Sequence, residues 1–153
     1  MSFEIIAEAK ELENALDNAT RDMPRMLDAA VLQATKVLYH ESIAEVTKLI
    51  YNVPIPVSKT GKPRWRRTHN LVNNERFQFH RLGSISEGRI YNNAKTANGF
   101  SYAQWRENHV YPTGADGVNR TAPWRDLTVQ NKGSEALSAF DGAFNAELKE
   151  RGL

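Results

Sequence analysis

The chain has 153 residues, 41% of them hydrophobic, and a net charge of +2, which suits a single domain over 1–153 with its own apolar core. It contains no cysteine, so disulfides, iron–sulfur clusters, thiolate zinc sites and thiol nucleophiles are excluded. No stretch approaches the roughly 18 apolar residues of a membrane span, and the start lacks a secretory signal. We therefore expect a protein that is made in the cytoplasm and has no membrane partner.

The charge is unevenly distributed along the chain. Residues 1–50 contain nine acids and five bases, residues 51–110 three acids and ten bases, and residues 111–153 six acids and five bases. The middle of the chain is therefore basic. Such a block can face phosphates, an acidic surface of a partner protein, or solvent.

The first fifty residues have helical spacing of apolar side chains, which predicts one helix from about Ile6 to Ala19. A second helix is expected to start near Asp22, whose carboxylate can cap it, with Pro24 tolerated in the first turn. Pro54 and Pro56 predict its end. The stripe of the first helix consists of Ile5, Ala9, Leu12, Leu16 and Ala19.

The apolar stripe of the second helix slips at Glu41-Ser42, so its two halves are predicted to pack differently. The positions before and after the slip are Val31 and Leu38, then Ile43, Val46 and Ile50. A helix with two buried faces suits a subunit that packs on itself and on a neighbour, and a kink explains the pattern equally well.

Residues 57–70, the basic loop, have the densest charge of the chain and are predicted to be exposed. The loop contains Lys59, Lys62, Arg64, Arg66 and Arg67, with Trp65 among them. An aromatic side chain between bases can stack on a nucleobase while the cations pair with phosphates. Docking on an acidic partner surface and a solvated loop are the alternatives.

Alternation of Phe77 and Phe79 with polar residues predicts a half-buried strand, and Gly83-Ser84 permits a turn into a second strand near Arg89 to Asn92. Helical spacing returns from about Ser134 to Lys149. The predicted class is therefore α+β: two N-terminal helices, a small antiparallel β-sheet (a hairpin or meander) and a C-terminal helix.

Large aromatic side chains are expected to anchor the core or a subunit interface, because they bury the most area per residue. The candidates are Phe77, Phe79, Tyr102, Trp105 and Trp124.

No combination of residues suited to catalysis is found. His40, His69, His80 and His109 are not at metal-ligand spacing, and the nucleophile-elbow, phosphate-loop and dinucleotide-binding motifs are missing from the sequence. Glu41 and Glu45 are one helical turn apart, but carboxylates at this spacing are usually solvated. We predict a non-enzymatic protein with no catalytic residue, metal or cofactor.

Several short runs, in this order, resemble the tail-completion or neck protein family of tailed bacteriophages (HK97 gp10-like). The runs are Phe3-Glu-Ile5, Arg67-Thr-His-Asn-Leu71, Tyr102-Ala-Gln-Trp-Arg-Glu107, Ala122-Pro-Trp124 and the C-terminal helix, and together they span most of the chain. The family has an Arg-Thr-Gly-x-Leu core in its basic turn. This chain has His69 at the position of that glycine, and Asn108 where a glycine commonly follows the glutamate.

The resemblance implies a virion structural protein at the head-tail junction. It implies a homo-oligomer, a hexameric ring between connector and tail, through which the genome passes, with no cofactor. Neighbouring connector and tail proteins are then its partners, with non-specific contact to DNA in the lumen. A related tail-terminator role and a nucleic-acid-binding module that uses the basic loop are the alternative functions.

Overall fold

This computed structural model describes residues 2–55, 57–63, 68–101, 103, 106, 111–112, 119–120 and 122–152. Long helices lie at both ends of the chain and an antiparallel hairpin lies between them, so the predicted α+β class is confirmed. The elements are helix α1 (Ser2–Val46), a π-helical segment (Thr47–Tyr51), helix α2 (Asn70–Asn73), strands β1 (Glu75–Leu82), β2 (Ile85–Asn92), β3 (Tyr111–Pro112) and β4 (Asn119–Arg120), and helix α3 (Trp124–Glu150).

The prediction of two N-terminal helices is wrong, because α1 continues through the expected boundary at Asp22. Pro24 lacks an N–H and disfavours a helix interior. However, Met26 and Ala30 in the following turns are fully buried, so packing of this face offsets the cost of the proline. Asp22 is not a cap. Its carboxylate accepts a hydrogen bond from Arg151 Nε at 3.3 Å.

The β1–β2 hairpin lies lengthwise along α1. Ser42 Oγ donates to Glu75 Oε1 at 2.5 Å, and Arg81 Nε donates to Asp28 Oδ1 at 3.1 Å. Fourteen helical residues separate Asp28 from Ser42, which is about 21 Å, and six strand residues separate Glu75 from Arg81, which is about 20 Å. The matching lengths mean that β1 runs antiparallel to α1 and nearly along its axis.

Helix α3 packs antiparallel on α1 and starts earlier than predicted. Asn131 Nδ2 donates to Glu45 Oε1 at 3.1 Å, whereas Arg151, at the far end of α3, contacts Asp22. The predicted start at Ser134 is wrong because the buried side of α3 extends back through Thr128 to Trp124. Ser134 lies inside the helix, where its carbonyl accepts a hydrogen bond from Ser138.

The buried face of α1 changes direction along the helix. Ala19, Met26 and Ala30 are buried at steps of seven and four residues, and the same steps recur at Thr35, Ser42 and Val46. The step of five positions from Ala30 to Thr35 rotates the buried direction by about 140°, since each position advances a helix by about 100°. The change falls earlier than the predicted slip at Glu41-Ser42.

The apolar core lies at the C-terminal end of α1. Its buried members are Val46, Ile50, Leu71, Ala94, Ala103, Ala122 and Trp124. Val31 and Leu38, by contrast, are half-buried and lie outside this cluster. The basic loop leaves the body at this same end, between Tyr51 and Leu71.

Candidate interaction surface

The basic loop is closed at its base by two aromatic rings. Tyr51, the last residue of the π-helical segment, stacks on His69 with ring centroids 4.5 Å apart and planes 8° from parallel. The Leu71 amide also donates to the Tyr51 hydroxyl at 3.1 Å. The residues that flank the segment 52–68 therefore lie close together.

His69 holds this base in an unusual backbone conformation. Its φ is 55°, in the left-handed region, and no other non-glycine residue in the described part of the chain has a positive φ. Side chains other than glycine pay roughly 1–2 kcal/mol there. His69 nevertheless precedes α2, and its carbonyl accepts a hydrogen bond from the Asn73 amide at 2.9 Å.

The beginning of the basic loop is a compact turn. Val57 and Pro63 form an antiparallel bridge, the Ser58 amide donates to the Lys62 carbonyl at 2.8 Å, and the Gly61 amide donates to the Ser58 carbonyl at 2.9 Å. Gly61 provides the left-handed φ of 76° that the turn needs. The backbone therefore holds this part of the loop in one shape.

Lys59 and Lys62 are brought together on this turn, and both side chains are exposed. Neither has a carboxylate partner among the residues that the structure describes. Their charges are available to a partner molecule. The other candidates of the basic loop, Arg64, Trp65, Arg66 and Arg67, lie outside the described residues.

The predicted aromatic anchors occupy different environments. Trp124 is fully buried in the core cluster, and the Arg125 guanidinium lies 5.9 Å from its ring centroid. Phe77 and Phe79 are half-buried on β1, and Phe77 packs on Tyr39 of α1 with ring centroids 5.1 Å apart. Tyr102 and Trp105 lie outside the described residues.

A buried polar cluster under the hairpin was not expected from the sequence. Glu75 is fully buried, and its carboxylate accepts hydrogen bonds from Ser42 Oγ at 2.5 Å and Asn92 Nδ2 at 2.6 Å. In the sequence, the only indication of this cluster is that Glu75 and Asn92, the first and last residues of the hairpin, are polar. The sequence alone cannot show that Ser42 of α1 contacts them. The cluster joins α1 to both strands, and its Glu75 and Ser42 side chains are fully buried.

Glu41 and Glu45 also have a structural role. Asn131 Nδ2 lies 3.5 Å from Glu41 Oε1 and 3.1 Å from Glu45 Oε1, and Lys48 Nζ lies 3.3 Å from the same Glu45 oxygen. The expectation of a solvated pair is wrong for Glu45, because α3 covers it and leaves it 4% exposed.

Among the residues that the structure describes, no group of three or more His, Asp or Glu side chains could hold a metal ion. None of the helices described combines the length and apolar content that crossing a membrane requires.

Comparison of the chain with protein-family models, with curated proteins and with solved structures gives no match.

Proposed function

We propose that this chain is a non-enzymatic structural protein of the head-to-tail connection of a tailed bacteriophage. Its copies form a hexameric ring that joins the connector to the tail and surrounds the DNA channel. It is made in the host cytoplasm, acts in the virion at the head-tail junction, and uses no cofactor.

The observation that carries this proposal is that three of the runs behind the family resemblance meet in one core cluster. Leu71 comes from the run 67–71, Ala103 from the run 102–107, and Trp124 from the run 122–124. Residues that are distant in sequence but share a core constrain each other, because interiors are closely packed. Their common location supports the view that the runs belong to one structural arrangement.

The conformation of His69 is a second support. The family has a glycine at this position, and His69 has a φ of 55°, which glycine adopts without strain. His69, which differs from the family's glycine, therefore has the left-handed backbone conformation that a glycine at this position would adopt easily.

A nucleic-acid-binding module is the second candidate function, and the exposed pair Lys59 and Lys62 favours it. Cations on a loop bind phosphates through counterion release, so the affinity of this module for DNA falls steeply with salt.

Mass measurement in solution and negative-stain imaging separate the two functions. The structural role predicts rings, formed by the purified protein alone or when connector or tail proteins are added. A salt-sensitive mobility shift with short DNA, without assembly under any of these conditions, would contradict the structural role and support the nucleic-acid-binding module.

A further inference from the structure

The β1–β2 hairpin is a regular two-stranded sheet with two open edges. Its residue pairs run without a bulge from Glu75–Asn92 to Leu82–Ile85, and neither strand contains proline. No third strand joins this sheet in the part of the chain that the structure describes. Soluble proteins often protect an edge with a bulge or a proline, because an open edge can pair with another chain. This hairpin has neither protection.

The register of the hairpin shows which backbone groups point outward. Leu82 and Ile85 flank the two-residue turn Gly83-Ser84 and form a hydrogen-bonded pair, and such pairs recur at every second position. The Asn93 amide donates to the Asn74 carbonyl at 3.2 Å, at a position that this alternation predicts. The residues between the hydrogen-bonded pairs direct their N–H and C=O groups away from the hairpin. They are Phe77, Phe79 and Arg81 on β1 and Ser86, Gly88 and Ile90 on β2.

These outward backbone groups are available for pairing. Among the residues that the structure describes, none makes a hydrogen bond to the outward N–H and C=O groups of these six positions. The outward carbonyl of Glu75, by contrast, accepts a hydrogen bond from the Tyr39 hydroxyl at 3.4 Å. The open edge of β1 therefore runs from Phe77 to Arg81, and the open edge of β2 runs from Ser86 to Ile90.

The two edges are complementary to each other. The side chains of all six residues lie on the hairpin face that packs on α1, as the contacts of Phe77 with Tyr39 and of Arg81 with Asp28 show. Antiparallel pairing of β1 of one chain with β2 of another therefore leaves α1 of both chains on the same side of a joined sheet. Half-buried apolar side chains of the two edges then become neighbours on that face. They are Phe77 and Phe79 on β1 and Ile90 on β2.

Charge favours a contact of β1 with β2 over a contact of two β1 strands. The outer face of β1 contains two basic residues, Arg76 and His80, and no acid, whereas the outer face of β2 contains Glu87 and Arg89. Two β1 strands would bring like charges together, which is unfavourable between neighbouring strands. The contact of β1 with β2 also covers both open edges, whereas two paired β1 strands, or a strand of a different protein on β1, leave the β2 edge open.

We propose that β1 of one copy pairs antiparallel with β2 of the next copy, so that the hairpins form one continuous sheet. This inference deepens the proposed function and rests on it, since it names the contact that builds the ring. Two different edges of one subunit form a heterologous contact, which closes into a ring when the rotation between copies permits. A closed ring of hairpins has no open edge.

Proline substitutions block one edge at a time. The Phe79 amide points out of the β1 edge and the Ile90 amide points out of the β2 edge. Phe79→Pro and Ile90→Pro therefore each remove one outward donor and no hydrogen bond within the hairpin. Phe79→Ala and Ile90→Ala are the matched controls, because they also remove the side chain but keep the amide. Circular dichroism compares the folds of the four variants.

Sedimentation velocity measures the assembly of each protein. We expect each proline variant alone to need at least about tenfold more protein than its alanine control to assemble, a change of about 1.4 kcal/mol. An equimolar mixture of the two proline variants should form dimers with one copy of each. The open β2 edge of Phe79→Pro then pairs with the open β1 edge of Ile90→Pro. Native mass spectrometry identifies this mixed dimer, because the two variants differ in mass.

Proline variants that assemble like their alanine controls would overturn the contact, and so would a mixture without the mixed dimer. An unfolded variant cannot imitate the mixed dimer, since each partner must provide a formed edge. Dimers of Ile90→Pro alone would mean that two β1 edges pair with each other, which also contradicts the proposal.

Hydrogen exchange of the wild type tests the same contact without any substitution. The outward amides of Phe77, Phe79 and Arg81 should exchange at least about tenfold more slowly in the assembly than in the dilute monomer. Equal rates would overturn the contact even if a proline variant fails to fold. A wild type that stays monomeric at every concentration would overturn it as well. The proposed function would then still be decided by ring formation on added connector or tail proteins.

Discussion

At the scale of single residues, Gly88 decides how closely β2 approaches α1. A Cβ built on Gly88 would lie 1.7 Å from Thr35 Oγ1 and 2.9 Å from Thr35 Cβ. Thr35 cannot easily turn away, because its hydroxyl donates to the Val31 carbonyl at 2.7 Å. We expect Gly88→Ala to lower the free energy of unfolding by about 1–3 kcal/mol through overpacking.

Urea denaturation checks this expectation against a matched glycine. Gly142 lies in α3 with no heavy atom within 4 Å of its built Cβ, so Gly142→Ala should be neutral or stabilise by about 0.5–1 kcal/mol. Adding Thr35→Ala to Gly88→Ala should restore part of the lost stability. Equal midpoints for the two glycine variants would contradict the close approach.

His69 gives the second prediction at this scale. Alanine and glycine both remove the stack on Tyr51, but only glycine removes the strain of a φ of 55°. We therefore expect His69→Gly to be more stable than His69→Ala by about 1 kcal/mol in thermal or urea unfolding. An alanine variant at least as stable as the glycine variant would mean that the position is not left-handed.

At the scale of elements, substitution of Pro24 tests whether the N-terminal segment is one long helix or two helices. In the interior of a continuous helix proline is less favourable than alanine by about 3 kcal/mol, whereas in a first turn it costs little. Since α1 continues through Pro24, Pro24→Ala should raise the free energy of unfolding by about 1–3 kcal/mol. Arg25→Ala at the neighbouring exposed position is the control and should change stability by less than about 0.5 kcal/mol. No gain from Pro24→Ala would favour a break at Asp22.

The same elements show how far the sequence predicts the fold. The hairpin follows from Phe77 and Phe79 at alternate positions and from the Gly83-Ser84 turn, where Gly83 has a φ of 61°. The predicted helix boundaries were wrong because Pro24 and Ser134 are residues that often mark the start of a helix. Packing between distant segments outweighs such local preferences.

The candidate surface was predictable only in part. The density of basic residues in the sequence predicts that Lys59 and Lys62 are exposed, because an unpaired cation is costly to bury. Both are exposed in the structure. The closure of the loop by Tyr51 and His69, and the burial of Glu75 against Ser42, join residues distant in sequence. No local pattern contains such pairs.

At the scale of the whole molecule, we expect the basic loop to decide attachment of the tail. Replacing four of its bases together by serine should abolish attachment of tails to filled heads while circular dichroism shows an intact fold; the four are Lys62, Arg64, Arg66 and Arg67. A loop that projects from the body can dock axially on a partner ring or point into the lumen. We favour docking, because a channel through which DNA slides gains little from strong phosphate binding.

Electron microscopy of particles and an infectivity assay distinguish the outcomes of this variant. Normal particles that fail to eject DNA would place the loop in the lumen. Normal particles with normal infectivity would mean that the loop is a solvated surface segment with no role in assembly or ejection.

The stacked base of the loop also affects how the molecule can evolve. Because the stack of Tyr51 on His69 fixes the two ends of the segment, we expect insertions between them to leave the core in place. Doubling the length of a flexible loop costs only about 0.6 kcal/mol of closure free energy. We therefore expect a change of length or sequence between Tyr51 and His69 to alter what the loop can contact while the helices and the hairpin keep their fold.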